Sequence, residues 1–356
     1  MKNISLITVN NPGLEAAEKT VGDLFRINPD FKIDLYNKND KDPESKANYI
    51  KYSKIDEILD KVWQNSDAII WFTATGIVVR KIARLVNSKT SDPAVLVMNL
   101  SGTQIIPLLS GHIGGANELA QQLTGVNPDL VSFITTATDS LDVFAFDNFA
   151  KKADFEIINI EKLARISNSL INGETINLLT YPKILEYLKE QGLDTININF
   201  YNYWGNHNTI NFDQPTVIMS PFSCYSRNDA FRIRIKPIVL GVGLNRGTPL
   251  EELETNILDF LIEKDLKLED VKIIASFDAK NDEEALQLFS EKYKIPLAFY
   301  AKDEINQLNE DFSESKAQEF FDIKGVAEPT AVLAAPFKTL FIRKKIYQNI
   351  TIAAAF

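Results

Sequence analysis

Residues 68–99 read AIIWFTATGIVVRKIARLVNSKTSDPAVLVMN, and this stretch decides the fold class. It begins with an apolar run at 68–72, turns at 73–76, takes on helical periodicity at 77–86, and ends in a second apolar run at 94–99. Apolar runs that do not alternate with polar residues are typical of strands buried on both faces of a parallel sheet. The stretch therefore predicts a strand–helix–strand unit.

The same alternation extends outward in both directions, with a strand at 4–9 and a helix at 14–25, and again with a strand at 238–242 and a helix at 249–263. We therefore predict an α/β fold class with mostly parallel sheets and flanking helices. Because a chain of 356 residues exceeds the usual size of one core, several domains are expected. We place an N-terminal αβ domain with the Gly, His and Thr motifs at 1–140, a middle αβ domain at 141–236 and a C-terminal αβ domain at 237–356.

Composition excludes several classes of protein. The net charge of −10 argues against nucleic acid as a partner, because phosphate binding requires clustered Lys and Arg. No apolar stretch reaches the length of a transmembrane helix, so no membrane partner is expected either. A single cysteine, Cys224, cannot form an internal disulfide, which fits a cytoplasmic location.

Several short segments carry a more specific signal. They are ATGIVVR at 74–80, LLSGHIGGANEL at 108–119, ITTATD at 134–139, LGVG at 240–243, NRGT at 245–248, ASFDAK at 275–280 and GVAEP at 325–329. In order and approximate spacing they resemble the CbiG family of anaerobic cobalamin biosynthesis. The resemblance covers the N-terminal and C-terminal thirds of the chain and is weak in the middle third.

The resemblance implies a cobalt-precorrin-5A hydrolase, which opens the lactone ring of its substrate with release of acetaldehyde to give cobalt-precorrin-5B. It implies a cobalt-bearing tetrapyrrole as the substrate, and other enzymes of the cobalamin pathway as further partners. No cofactor and no protein metal site are expected, since the cobalt arrives within the substrate. A non-catalytic protein that binds or carries corrinoid intermediates remains the alternative.

His112 is the sharpest catalytic candidate, because an imidazole can accept a proton from water and return it near neutral pH. Ser110, Gly111, Gly114 and Gly115 surround it just before a predicted helix, where backbone N–H groups favour a developing negative charge. Glycine also lets a bulky ring approach the backbone closely. The alternative is an ordinary helix-start turn in which the histidine only fills space.

Acidic and amide side chains near this turn are weaker candidates. Glu118 could orient His112 or accept a proton, or it could simply favour the positive end of the helix dipole. Asn117 could bind a substrate carboxamide or carboxylate, or cap the helix. Asp139 could act as an acid or base during carbon–carbon cleavage, or cap the next helix.

Two strand ends supply candidate substrate contacts, because ligands of open parallel sheets bind beyond the carboxyl ends of strands. Thr135, Thr136 and Thr138 end the strand predicted at 131–136, and we expect them beside the His112 turn. Thr75 and Gly76 follow the strand at 68–72. Arg80 lies one helical turn further on and could bind a carboxylate, whereas Arg84 and Lys81 fit a solvated helix face.

The glycines at 241, 243 and 247 do not have the spacing of a dinucleotide-binding turn, because Arg246 stands where its third glycine belongs. A nucleotide-dependent enzyme is therefore disfavoured. A site for substrate carboxylates that uses Arg246, Thr248 and Lys280 is more plausible. For Glu328 we favour a structural role over a contact across a cleft.

Overall fold

The computed structural model describes residues 1–38, 45–88, 91–135, 143–206, 209–222, 229–315 and 317–356. The chain divides into two compact units, Met1–Val143 and Phe144–Phe356. Within the described residues, no helix is both long and apolar enough to cross a bilayer. The same residues contain no group of three or more His, Cys, Asp or Glu side chains that could hold a metal ion.

The first unit contains one seven-stranded sheet with the order β3-β2-β1-β4-β5-β6-β7. Its strands are β1 Asn3–Thr8, β2 Lys32–Asn37, β3 Asn48–Lys51, β4 Ala68–Phe72, β5 Ala94–Met98, β6 Gln104–Leu109 and β7 Val131–Ser132. Its helices are α1 Asn11–Ile27, α2 Ile55–Asn65, α3 Thr75–Ile82 and α4 Ala116–Val126. Neighbouring strands are parallel except for β5 and β6, which form an antiparallel pair.

Both faces of this sheet are covered, which explains its unbroken apolar strands. Leu6 and Phe72 face a core shared with α1 and α4, whereas Ile7 and Trp71 face a core shared with α2 and α3. Successive residues of one strand therefore enter different cores, as the alternation of side chains along a strand requires.

The second unit contains two five-stranded sheets. The first has the order β10-β9-β11-β12-β8, with an antiparallel pair only between β12 and β8. Its strands are β8 Glu156–Ile157, β9 Ile176–Thr180, β10 Ile198–Asn202, β11 Thr216–Ser220 and β12 Phe231–Arg234. Helices α5 Phe146–Lys152, α6 Leu163–Ile171 and α7 Pro182–Glu190 accompany it.

The last sheet has the order β15-β14-β13-β17-β16. Its strands are β13 Ile238–Leu244, β14 Val271–Phe277, β15 Leu297–Tyr300, β16 Leu340–Ile346 and β17 Ile350–Ala355. Its helices are α8 Leu250–Glu263, α9 Glu284–Tyr293, α10 Lys302–Gln307, α11 Ala317–Phe321 and α12 Ala327–Ala334. Strands β13, β14 and β15 are parallel, and β17 is antiparallel to both of its neighbours.

Buried contacts join the two sheets of the second unit across the predicted boundary at residue 236. The Arg234 guanidinium, at the end of β12, pairs with the buried carboxylate of Asp270, which immediately precedes β14. The C-terminal Phe356 packs in the core of the β8–β12 sheet, with its ring 4.8 Å from that of Tyr181. The three-domain division stays a prediction.

The predicted α/β class with mostly parallel sheets and flanking helices is confirmed. The main departure is β6, whose residues were expected only to lead into a turn. Pro107 within β6 lies opposite Leu96, next to an irregularity in the register, where a missing N–H is tolerated. Strand β3 and helices α10 and α11 were also not predicted, and β7 ends at Ser132 instead of reaching Thr136.

Candidate functional site

The antiparallel strand β6 determines the position of the His112 turn. Leu109, the last residue of β6, lies opposite Val95 near the beginning of β5. The Ser110 Oγ donates a hydrogen bond of 3.0 Å to the carbonyl of Asp92, which precedes β5. The turn therefore lies at the edge of the sheet where β4 and β5 begin.

Steric necessity explains the glycines of the turn at 110–116. Ser110 and Gly115 have left-handed φ values of 56° and 86°. A Cβ on Gly114 would lie 2.3 Å from the Ser110 Cβ, and a Cβ on Gly111 would lie 2.8 Å from the Asn117 Oδ1. The contact with Ser110 requires glycine at position 114, whereas a side chain at position 111 would have to displace the amide of Asn117.

The turn leaves several backbone donors without a partner. The N–H of Gly115 donates to the carbonyl of His112 at 3.0 Å, and the next two N–H groups donate to the carbonyls of Ser110 and Gly111. Within the described chain, the N–H groups of Gly111, Ile113 and Gly114 have no hydrogen-bond partner. Three donors beside one imidazole, ahead of an 11-residue helix, can stabilise an oxyanion.

The side chains around the turn differ in exposure. His112 is half-buried, so it is not sealed inside packed protein. Asn117 is only 6% exposed, and its amide lies directly over Gly111. Glu118 is exposed in the first turn of α4. The positions of Asn117 and Glu118 are compatible with the capping and dipole alternatives as well as with substrate contact.

The threonine cluster is partly described. Strand β7 runs parallel to β6, so the chain that follows Ser132 leads towards the same edge as the His112 turn. Thr135 is exposed in this segment. Thr136, Thr138 and Asp139 lie outside the described residues, and their predicted roles stay predictions.

The other strand-end group lies at the opposite edge of the sheet. Thr75 and Gly76 follow the carboxyl end of β4, whereas the His112 turn lies where β4 and β5 begin. Arg80 is exposed, and its Nη1 donates to the carbonyl of Gly76 at 2.9 Å. The sheet thus separates this group from His112 by the length of a strand.

Two neighbouring cations, Lys81 in α3 and Arg84 just after it, behave differently from Arg80. Lys81 pairs with Asp56 at 2.8 Å, and Arg84 pairs with Asp60 at 2.7 Å. Both carboxylates belong to α2. Lys81 and Arg84 therefore join α2 to α3 and to the turn after it. Arg80, in contrast, pairs with no carboxylate in the described part of the chain.

Acidic side chains surround the predicted Arg246–Lys280 site. Arg246 pairs with Asp282 at 2.5 Å, and its Nε lies 3.3 Å from the Oε1 of Glu283. Lys280 lies 3.5 Å from the same Glu283 oxygen, and Thr248 is buried with its hydroxyl on the carbonyl of Asn245. The hydrogen bond from Arg246, against a smaller effect of burial, holds the pKa of Asp282 below its usual value. The charge of Arg246 is thus largely compensated by its own chain.

A cleft of ≈ 820 Å³ opens beside Lys280, where β13 and β14 end and where the chain turns from β16 to β17. It lies on the side of the sheet where open α/β folds bind ligands. Lys324 and Lys344 also line it, and neither was predicted. Their segments are distant in sequence, and only the general rule about strand ends could have indicated this place.

Glu328 shapes one wall of this cleft. Its buried carboxylate accepts hydrogen bonds from the N–H and hydroxyl of Ser313 and from the N–H of Lys344, at 2.7–2.8 Å. Burial by itself raises the pKa of Glu328, but these donors together with Arg343 bring it below its usual value. Glu328 therefore stays ionised and joins the segment before α11 to β16, which agrees with the structural role that we favoured.

Comparisons with known proteins agree with the segments described above. Residues 57–139 match the family model described as Cobalamin synthesis G N-terminal, and residues 238–355 match the one described as Cobalamin synthesis G C-terminus. A cobalt-precorrin-5A hydrolase of Priestia megaterium is 26% identical over 99% of this chain and 94% of its own length. A cobalt-precorrin-5A hydrolase of Salmonella typhimurium is 29% identical over 69% of each chain. A solved cobalamin biosynthesis protein G homologue of Sulfolobus solfataricus is 23% identical, with a TM-score of 0.37, over 99% of this chain and 96% of its own.

Proposed function

The chain belongs to the CbiG family of cobalamin-synthesis proteins, and from this premise we propose that it is a cobalt-precorrin-5A hydrolase. The proposal rests on relatives of that name, one of which aligns with nearly the whole chain. The observation within the molecule that carries it is the half-buried His112 beside three backbone N–H groups that have no partner among the described residues, inside the matched N-terminal segment.

In the proposed reaction, His112 accepts a proton from the water that attacks the lactone carbonyl. The N–H groups of Gly111, Ile113 and Gly114 hold the negative charge that develops on the carbonyl oxygen. The ring C–O bond then breaks, which leaves a carboxylate arm and a hydroxyl on the two-carbon branch. The N–H of Gly115 is already used within the turn, so Gly115 serves the fold of the turn instead.

Acetaldehyde forms in a second step. The hydroxyl loses its proton and becomes the aldehyde oxygen, while the bond between the branch and the ring carbon breaks and its electron pair passes to the ring. The ring carbon then takes up a proton. Asp139 and Glu118 are the proposed groups for these proton transfers, with His112 returning the proton that it received.

Peripheral arms of the substrate need further contacts. We assign Ser110, Asn117, Thr135, Thr136 and Thr138 to the arms near the reacting carbon. Thr75, Gly76 and Arg80 in the first unit, and Arg246 and Lys280 in the second, keep their predicted roles as contacts of substrate carboxylates. The cobalt is part of the substrate in this proposal, and no cofactor is required. Other cobalamin-pathway enzymes are proposed partners, and the cytoplasm is the proposed location.

The direct experiment incubates the purified protein with the lactone-bearing intermediate and measures acetaldehyde. The hydrolase proposal predicts its release by the wild type and a loss of about 10²–10⁴-fold in His112→Ala. A carrier would bind the ring and release no acetaldehyde. His112→Ala with normal turnover would exclude the histidine mechanism while leaving the hydrolase itself intact.

A further inference from the structure

The C-terminal cleft has a distinctive arrangement of charge. The side chain of Lys280 is only 12% exposed, and Lys324 and Lys344 are half-buried. The acidic residues Glu314 and Glu319 also line the cleft, but both are exposed. The three cations therefore lie deeper than these two carboxylates, and the third carboxylate of the lining, that of Glu328, is buried and already accepts hydrogen bonds from Ser313 and from the N–H of Lys344.

Two of these lysines are not neutralised by a carboxylate. The Lys324 Nζ donates to the carbonyl of Leu308, and the Lys344 Nζ donates to the carbonyls of Ser313 and Glu314. Among the residues that the structure describes, neither ammonium pairs with an acidic side chain. An ammonium has three donors and a full charge, so both lysines retain the capacity to bind an anion.

The mouth of the cleft is apolar. Phe320 on α11 is 75% exposed and Ile346 at the end of β16 is 68% exposed, and both line the cleft. Exposed large apolar side chains on the rim of a cleft are typical of binding surfaces. Gly243, at the end of β13, keeps the inner wall close to the backbone, because a Cβ there would lie 2.6 Å from the Thr351 hydroxyl.

We propose that this cleft binds a flat macrocycle with carboxylate arms, so that the second unit by itself contains a site for the ring. Lys324 and Lys344 receive carboxylates, and Phe320 and Ile346 cover an apolar face of the ring. The volume of ≈ 820 Å³ is within the range of small-molecule sites. The ligand class rests on the proposed function. The apolar mouth does not, and neither do the two lysines without a carboxylate partner among the described residues.

The test uses the full chain and cobyrinic acid, a cobalt corrin with free carboxylate arms, with affinity measured by equilibrium dialysis. Lys324→Ala/Lys344→Ala is expected to weaken binding by about tenfold or more, because charge-assisted hydrogen bonds are lost. Phe320→Ala is expected to weaken it severalfold. Lys272→Ala, near the start of β14, and Ile262→Ala, on a side chain that is 77% exposed on α8, are the matched controls.

Absent binding by the wild type, or a double variant that binds within twofold of it, overturns the inference. If the double variant does not fold, the single variants Lys324→Met and Lys344→Met keep the aliphatic stems, and each is expected to weaken binding about threefold. Unchanged affinity in both then overturns the inference as well.

The two proposals fail in different ways. A wild type that binds the corrin through these lysines but releases no acetaldehyde supports the cleft and rejects the hydrolase. Conversely, full kcat/KM on the lactone substrate in the folded double variant supports the hydrolase and rejects the cleft.

Discussion

Two glycine-rich turns lead from a strand into a helix, at 110–116 before α4 and at 243–248 before α8, and they differ in what their own chain supplies. In the first turn, close contacts with Ser110 require glycine at position 114, and three backbone N–H groups are left without a partner in the described structure. In the second, the cation of Arg246 is met by Asp282 and Glu283. Glu283 also accepts a hydrogen bond of 3.1 Å from the N–H of Gly247.

The comparison teaches that a polar residue in a glycine-rich turn indicates a binding site only when the surrounding chain leaves it unsatisfied. The sequence predicted that Arg246 binds a substrate carboxylate, yet Asp282 and Glu283 of the same chain already pair with it. Lys324 and Lys344 were not predicted as binding residues, yet no carboxylate neutralises them among the residues described. Whether a cation can bind a ligand therefore depends on its acidic neighbours as much as on the cation itself.

The largest expected effect is a difference in stability between alanine variants of the two turns, because the space around their glycines differs. In Gly114→Ala the new Cβ would lie 2.3 Å from the Ser110 Cβ, so we expect the free energy of unfolding to fall by about 3 kcal/mol. Gly247 has a φ of +72°, but a Cβ added there would have no atom within 4 Å, so Gly247→Ala should cost only about 1–2 kcal/mol. Urea titrations of both variants measure the difference, and equal losses would contradict it.

The next effect concerns the cleft beside the second turn. Because hydrogen bonds lower the pKa of Glu328 in the folded state, its carboxylate stabilises the fold at neutral pH, and that contribution disappears as the pH falls through the lowered pKa. We expect Glu328→Gln to lose about 1–3 kcal/mol at pH 7 and to approach the wild type below about pH 4. Unfolding measured from pH 3 to 8 tests this. A difference that does not change with pH would contradict the role of the ionised carboxylate.

The fold could be predicted where structure follows from local pattern. The strand at 68–72 was placed correctly, and those at 94–99 and 238–242 agree with the structure to within two residues, because each is a buried apolar run bounded by turn residues. β6 was not recognised because its identity depends on pairing with β5, and Pro107 argued locally against a strand. As a result, the edge of the sheet that holds the His112 turn could not be predicted.

At the candidate site too, features that depend on contacts between distant segments could not be predicted from the sequence. The sequence placed glycines around His112 in a turn before a helix and attributed them to the approach of a bulky ring, whereas the structure shows close contacts within the turn itself. The neutralisation of Arg246 depends on Asp282 and Glu283, which are more than 30 residues away. The Lys280–Lys324–Lys344 group arises only when strand ends and the turn after β16 meet at one edge. No short segment contains this information.

A smaller effect tests the assignment of Arg246 as a substrate contact. Asp282 and Glu283 compete with any substrate carboxylate, so we expect Arg246→Ala to raise KM only about two- to threefold, as for an exposed ion pair. Asp282→Asn removes one competitor, and it should lower KM by a similar factor. Steady-state acetaldehyde release measures both. If neither variant changes KM, Arg246 serves the fold of the turn alone.

The smallest effect is expected at Arg84, in the turn after α3, which pairs with Asp60 of α2. Both side chains are more than half exposed, so solvent and salt screen their attraction. We expect Arg84→Ala to reduce the free energy of unfolding by about 0.2–1 kcal/mol at low salt, with a smaller loss in 1 M NaCl. KM should stay unchanged, in contrast to Arg80→Ala, because Arg80 has no carboxylate partner in the described chain and is assigned to the substrate. A raised KM in Arg84→Ala would mean that the turn after α3 contacts the ring, and the distinction between compensated and uncompensated cations would then fail in this segment.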